Sequence, residues 1–359
     1  MSSKFLSTLK LFCAVAVTVL MFTSCEKEKQ VAIASPPNYL SGVFIVNEGS
    51  FLGSNGSISF KSDDSTYYNS DLYKSVNGLD LGDVVQSMTI YNEYAYIAVN
   101  NSQRMEVVSM KDFKRRGSIS GLSSPRYFIG NGSTGFISDW TSNNVYVINL
   151  NSLAIIDTIA CGAGPEEMAI LNNKIFICNS GGFGDDSTIT VADATTHSII
   201  SIIHTPLNPS SIRIDANGML RVLCKGSLGA DWTPTPDDAP GALLSINPSN
   251  YGITQTLVFN YDQHPVKMQI SADKQNLFYI TGSYGSGTIN KISISENTLP
   301  STPLINSEFY GVGINPDNGD IYGGRVNFSS NAYAVRFNNA GIAQDSVLAG
   351  IGPNGFAFN

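Results

Sequence analysis

The chain has 359 residues, with 21 lysines and arginines against 29 aspartates and glutamates and a formal net charge of −8. Such an acidic balance argues against nucleic acid and against anionic membrane faces as partners. Three histidines and five cysteines, with no C-x-x-C pair among them, also argue against a zinc cluster.

In chain order, a targeting segment comes first. Lys4 and Lys10 precede the apolar run LFCAVAVTVLMF, Leu11 to Phe22, which at 12 residues is too short to span a bilayer as a helix. The run ends in FTSC and resembles a bacterial lipoprotein signal, in which the cysteine (here Cys25) becomes the acylated first residue of the mature chain. An ordinary secretory signal with an incidental cysteine is the alternative. The resemblance implies that residues 1–24 are a signal peptide and 25–39 a polar tether. It also implies an exported protein, lipid-anchored to the outer membrane, surface-exposed, and touching the membrane only through its lipid. Without residues 1–24, 19 basic residues face 29 acidic ones, a charge of −10. After Cys25 three cysteines follow, Cys161, Cys178 and Cys224, and an odd number cannot form a full disulfide set.

Residues 40–359 read as short strands separated by Gly, Asn, Asp, Ser and Pro, with few helix signals. A segment typified by PEEMAILN recurs from Val85, Pro125, Pro165, Pro209, Pro265, Phe309 and Pro353, at spacings of 40, 40, 44, 56, 44 and 44 residues. Its fourth position is always apolar: Met88, Phe128, Met168, Ile212, Met268, Val312 and Phe356. A second strand follows each complete copy (YAYIAVNNS, TGFISDWTS, KIFICNSGG), then a third alternating strand and a weaker fourth. Four strands per repeat of this length mark a β-propeller blade, and seven copies predict seven antiparallel blades in an all-β fold. The last copy, PNGFAFN, ends the chain, whereas GVFIVNEGS near the N-terminus lacks a first strand. The C-terminal segment is therefore expected to supply the innermost strand of the N-terminal blade.

WTSNNVYVINLNS from Trp140 and CNSGGFGDDSTITVADA from Cys178 resemble the YVTN-type repeat propellers, described as surface-layer-protein-like. The likeness spans residues 40–359 and implies a fold more than a function.

Loops leaving the second strands and loops entering the first strands emerge on one face around the channel, the expected binding surface. The first group supplies Glu48, Asn101, Asp139, Trp140, Asn179, Phe183, Lys225, Trp232, Tyr284 and Arg325. The second supplies Arg126, Glu166 and His264, with Gln86, Glu167, Lys267 and Tyr310 beside them. Both tryptophans fall on this face, and exposed aromatics on preorganised loops suit a large amphipathic ligand or a partner protein. Trp232 sits in the long loop KGSLGADWTPTPDDAPG and has an alternative role as a plug packed on its own loop. We assign no cofactor. Calcium is the rival reading, with Glu48 and Asp139 as metal candidates beside Asn101 and Asn179, although Asn and Asp are also the ordinary residues of tight turns. No G-x-S-x-G or other catalytic constellation occurs, so we do not expect an enzyme.

Acylated propellers of this repeat type resemble the cobamide-binding (vitamin B12) lipoproteins that cap TonB-dependent outer-membrane transporters in gut anaerobes. That resemblance implies capture of a cobamide on the loop face, with such a transporter as partner. Two alternatives stand beside it: a protein-interaction or surface-layer scaffold with no small ligand, and a calcium-dependent lactonase or lyase.

Overall fold

Short runs of β-branched and aromatic residues close, seven times over, into four-stranded antiparallel sheets. The computed structural model describes residues 39, 41–228, 238–282, 286–325 and 327–359. Cys25, Trp232 and Tyr284, with the expected signal and nearly all of the tether, lie outside the described residues. The seven sheets form a β-propeller, as the repeats predict. Among the described residues no helix is long and apolar enough to cross a membrane.

Blade 1 takes its inner strand from the C-terminus: Pro353–Phe358 pairs with Gly42–Asn47, with Val43 opposite Phe358 and Ile45 opposite Phe356. The inner strands of blades 2 to 7 are Val85–Tyr91, Pro125–Asn131, Pro165–Leu171, Pro209–Ile214, Val266–Ile270 and Gly311–Ile314. Phe309 departs from the repeat register. It closes the outer strand of blade 6, Ile305–Phe309, so the inner strand of blade 7 begins two residues later.

Second strands are buried on both faces, which explains their continuous apolar character. Side chains alternate along a strand, so each second strand feeds two cores. In blade 4, Ile175 and Ile177 pack toward blade 3 with Phe136 and Val147. Phe176 and Cys178 turn the other way, toward Leu220 and Val222 of blade 5. The same division recurs around the ring, giving an apolar core between every pair of neighbouring blades.

The inner strands are sheet edges facing the channel. A proline there forfeits no ladder bond, which is why it can recur at their first position. Side chains of neighbouring blades satisfy part of the exposed backbone: Ser87 Oγ donates to Arg126 O at 2.6 Å and Thr89 Oγ1 to Phe128 O at 3.3 Å. In blades 1 to 6 a register shift near the start of the inner strand marks a bulge. A bulge breaks the alternation and re-aims side chains. It lies beside Gln86, Arg126, Glu166, Ser210, Lys267 and Asn354, next to the channel mouth.

One helix, Leu72–Asn77, escapes the sequence pattern. Asp71 caps it by accepting from Lys74 N, and Gly78, at φ 66°, ends it in the left-handed conformation that glycine tolerates.

Candidate functional site

The channel mouth on the loop face encloses about 360 Å³ and is lined by Glu48, Gln86, Arg126, Tyr127, Trp140, Glu166, Ser210, Ser211, Lys225, Val266, Lys267 and Tyr310. Five of the expected site residues thus meet: Glu48, Arg126, Trp140, Glu166 and Lys225. Arg126 is the hub. Its Nε and Nη2 donate to Glu166 Oε1 at 3.1 and 2.8 Å, and its Nη1 donates to Gln86 Oε1 at 2.6 Å. The guanidinium also stacks on Trp140. Phe183, 93% exposed, meets the Trp140 ring edge-on, with centroids 5.7 Å apart.

Across the mouth, Tyr310 donates its hydroxyl to Glu48 Oε2, and Asn354 Nδ2 donates to the same oxygen at 3.2 Å. Burial, reinforced by the Glu48 carboxylate, pushes the Tyr310 phenol well above its ordinary value, so it stays a hydroxyl donor. Lys225 and Lys267 complete the lining. Each keeps some solvent contact through the channel, yet burial holds both below the ordinary lysine value against the pull of nearby carboxylates. Among the described residues neither ammonium has a hydrogen bond or a carboxylate within ion-pair distance. Three cations thus line the mouth against two carboxylates, a local excess of positive charge in an acidic protein.

Below the mouth lies a second compartment of about 310 Å³, lined by apolar Met88, Phe128, Met168, Val312 and Phe356 with Glu167 and Arg213. Glu167 and Arg213 form an ion pair within it. Gln86, Tyr127 and Lys267 line both compartments and make the waist between them.

Other expected residues take structural roles. Asp139 is fully buried and accepts from Ser123 N, Ser124 N, Ser142 N and Ser142 Oγ, so its oxygens hold a turn. Asn179 is buried inside blade 4 and donates to Thr188 Oγ1 and Thr190 Oγ1. Asn101 donates to Asp83 Oδ2 at a loop on the surface. With Glu48 committed to Tyr310 and Asn354, these four side chains do not converge, so they do not fit a shared calcium. His264 is buried, donates from Nδ1 to Lys225 O at 2.9 Å and supports the Lys225 backbone from behind. Arg325 sits outside the mouth. Its backbone still pairs with Tyr333 O, and its guanidinium lies over Phe309 and donates to Glu308 O.

Sequence reasoning did not single out Tyr127, Ser210, Ser211, Arg213 or Asn354. The proline register was a signal for Asn354 and Ser210, which follow Pro353 and Pro209 as Arg126 follows Pro125.

No curated protein matches the chain in sequence. Among solved structures, a putative 6-phosphogluconolactonase of Bacteroides fragilis superposes with TM-score 0.65 at 11% identity, over 90% of this chain and 100% of its own. The dihydro-heme d1 dehydrogenase NirN gives 0.59 at 9% identity over 90% and 76%, and hydrazine synthase of Kuenenia stuttgartiensis 0.57 at 13% over 73% and 85%. Such identities establish a common fold alone. Residues 41–340 match the family described as "Domain of unknown function (DUF5074)", and the chain belongs to that family.

Proposed function

We propose that the chain is a lipid-anchored, surface-exposed propeller that captures a large amphipathic ligand in the channel mouth. A cobamide is our assignment for that ligand, and a TonB-dependent outer-membrane transporter our assignment for the partner that receives it. The Trp140–Arg126 stack carries the reading: an aromatic wall and a fixed cation border one concave mouth. Phe183, Phe51, Leu52 and Phe328 leave apolar surface exposed on loops of the same side, which suits a ligand with apolar edges and polar substituents. The chain binds and releases on this reading and performs no catalytic step.

Titration calorimetry with cyanocobalamin, run with and without a chelator, tests the proposal. We expect saturable binding that the chelator leaves unchanged. Absence of heat at millimolar ligand overturns the cobamide assignment, and binding lost on chelation returns calcium to the site. The anchor has its own test: Cys25→Ser should move the protein from membrane to soluble fractions, and retention in washed membranes overturns lipidation at that residue.

The exposed Phe51, Leu52 and Phe328 favour a second reading, in which the face docks on a partner protein with no small ligand. It predicts no corrinoid binding, together with loss of the complex when these three residues become serine.

A further inference from the structure

Two cations in the mouth are left without a counter-charge in contact: Lys225, and Lys267, whose Nζ lies over the neutral Tyr310 ring at 5.8 Å from its centroid. The two carboxylates that line the mouth each direct one oxygen to other partners. Glu166 Oε1 receives both bonds from Arg126, and Glu48 Oε2 receives Tyr310 and Asn354. Lys225 and Lys267 line the same cavity, and their ammonium groups have neither a carboxylate within ion-pair distance nor a hydrogen bond among the described residues. Enclosing an ammonium without a counter-charge is unfavourable, and a pair of them is more so, since each also feels the positive charge of Arg126. Lys267 adds backbone strain. It stands at the bulge of blade 6 with φ 59°, a left-handed conformation that non-glycine residues seldom adopt. Enclosed and perturbed charges of this kind in a cleft cluster at functional sites.

On the reading that the mouth is the ligand-binding face, we infer that Lys225 and Lys267 form a subsite for a phosphoryl oxyanion carried by the ligand. A lysine ammonium is a compact point charge with three donors, suited to the spread-out oxygens of a phosphate. Anion binding returns the missing counter-charge to both ammoniums and relieves their burial. Beside them Glu166, 5% exposed, leaves Oε2 without a partner, an acceptor for an N–H or O–H of the ligand next to its anion. The ligand class is therefore a phosphate mono- or diester with hydrogen-bond donors nearby and an apolar portion for Trp140.

The experiment titrates the full chain with inorganic phosphate, cyanocobalamin and dicyanocobinamide, the last carrying the corrin ring without the phosphodiester. Each is repeated on Lys225→Met and Lys267→Met, with Lys→Gln forms as second variants, melting curves to establish folding, and Arg325→Met as control. We expect saturable phosphate binding that falls about tenfold or more in each lysine variant, the scale of losing one charge-assisted contact, and not in the control. Cyanocobalamin should bind more tightly than cobinamide by a similar factor, and the lysine variants should abolish that gap. If phosphate binds in a lysine-dependent way and neither corrinoid does, the subsite stands and the cobamide assignment falls. If both corrinoids bind equally, and folded lysine variants keep full affinity, the subsite is overturned while the capture reading survives. Failure of inorganic phosphate and of every corrinoid to bind overturns both.

Discussion

The guanidinium carbon of Arg126 lies 3.7 Å from the centroid of the Trp140 ring. This contact ties the bulge that opens the inner strand of blade 3 to the loop that follows the second strand of the same blade. The indole fixes one side of the cation and Glu166 the other, so the floor of the mouth is set before any ligand arrives.

Trp140→Ala should weaken cyanocobalamin binding by tens of fold, because a central aromatic anchor contributes about 2 kcal/mol or more. The melting temperature should barely move, since the ring is part of the mouth and not of an inter-blade core. Calorimetry beside a melting curve checks both. Normal affinity in the variant would place the ligand elsewhere.

Ring closure depends on Asn354, which is buried and donates from Nδ2 to Glu48 Oε2, Val85 O and Gln86 O. Asn354→Ala strands acceptors of blade 1 and blade 2 and should cost about 1–3 kcal/mol in denaturant unfolding. Deleting residues 353–359 removes the whole inner strand of blade 1 and should abolish cooperative melting near the native temperature. A truncated chain that melts like the full one would refute this closure.

Much of this was legible because the propeller repeats one physical problem seven times. The apolar fourth position of each inner strand and the doubly buried second strand leave a periodic trace that averaging over copies reveals. The mouth was legible by the same register, since Arg126 and Glu166 both follow the recurring proline. Asp139 and Asn179 stood between two readings because Asp and Asn serve turns and ligands with the same atoms. Only their partners, the Ser123 and Ser124 amides and the Thr188 and Thr190 hydroxyls, decide between the roles. Arg325 lies outside the mouth, in a blade that lacks the register shift between inner and second strand seen in the other six, and its N–H continues the pairing to Tyr333 O. The helix at Leu72–Asn77 is too short to print a helical period, and its capping residues were its main signal.

On the face opposite the mouth, the turn at Asp215–Gly218 should not matter for ligand, yet it matters for stability. Asp215, 2% exposed, caps Asn217 N and Met219 N and pairs with Arg221 Nε at 2.7 Å. Asp215→Ala leaves that guanidinium buried and unpaired, at a cost of about 3–5 kcal/mol. Urea unfolding should register this loss while ligand affinity measured on the folded fraction stays unchanged. A fall in affinity without a fall in stability would contradict the assignment of faces.

Cys178 and Cys224 lie in one core between blades 4 and 5, and Cys161 is half-buried at blade 4's border with blade 3. Burial pushes the Cys161 and Cys224 thiols up to about 12 and raises Cys178 as well. The thiolate is the reactive species, so at pH 8 these cysteines should resist a disulfide reagent until the chain is unfolded. Mass-spectrometric mapping of native and denatured samples checks each site. Rapid native labelling of Cys178 or Cys224 would mean that the inter-blade core opens readily.

Lys225 and Lys267 give stability and binding opposite pH dependences. In the folded chain burial holds both below the ordinary 10.5, so between that depressed value and 10.5 the unfolded state carries more protons than the folded one. Unfolding free energy therefore receives a rising contribution from these groups as pH climbs through that window, and below it the full penalty of two enclosed charges remains. Anion binding needs the ammonium form, so affinity should fall as pH climbs through the same depressed value. A Lys225→Met, Lys267→Met double variant removes the enclosed charges. It should melt at a higher temperature than the parent at neutral pH, lose the parent's alkaline gain in stability, and lose phosphate binding. Melting curves and phosphate titrations from pH 7 to 10 test the two trends together. A double variant that melts lower and still binds phosphate would show that the lysines support the fold and leave the anion to other residues.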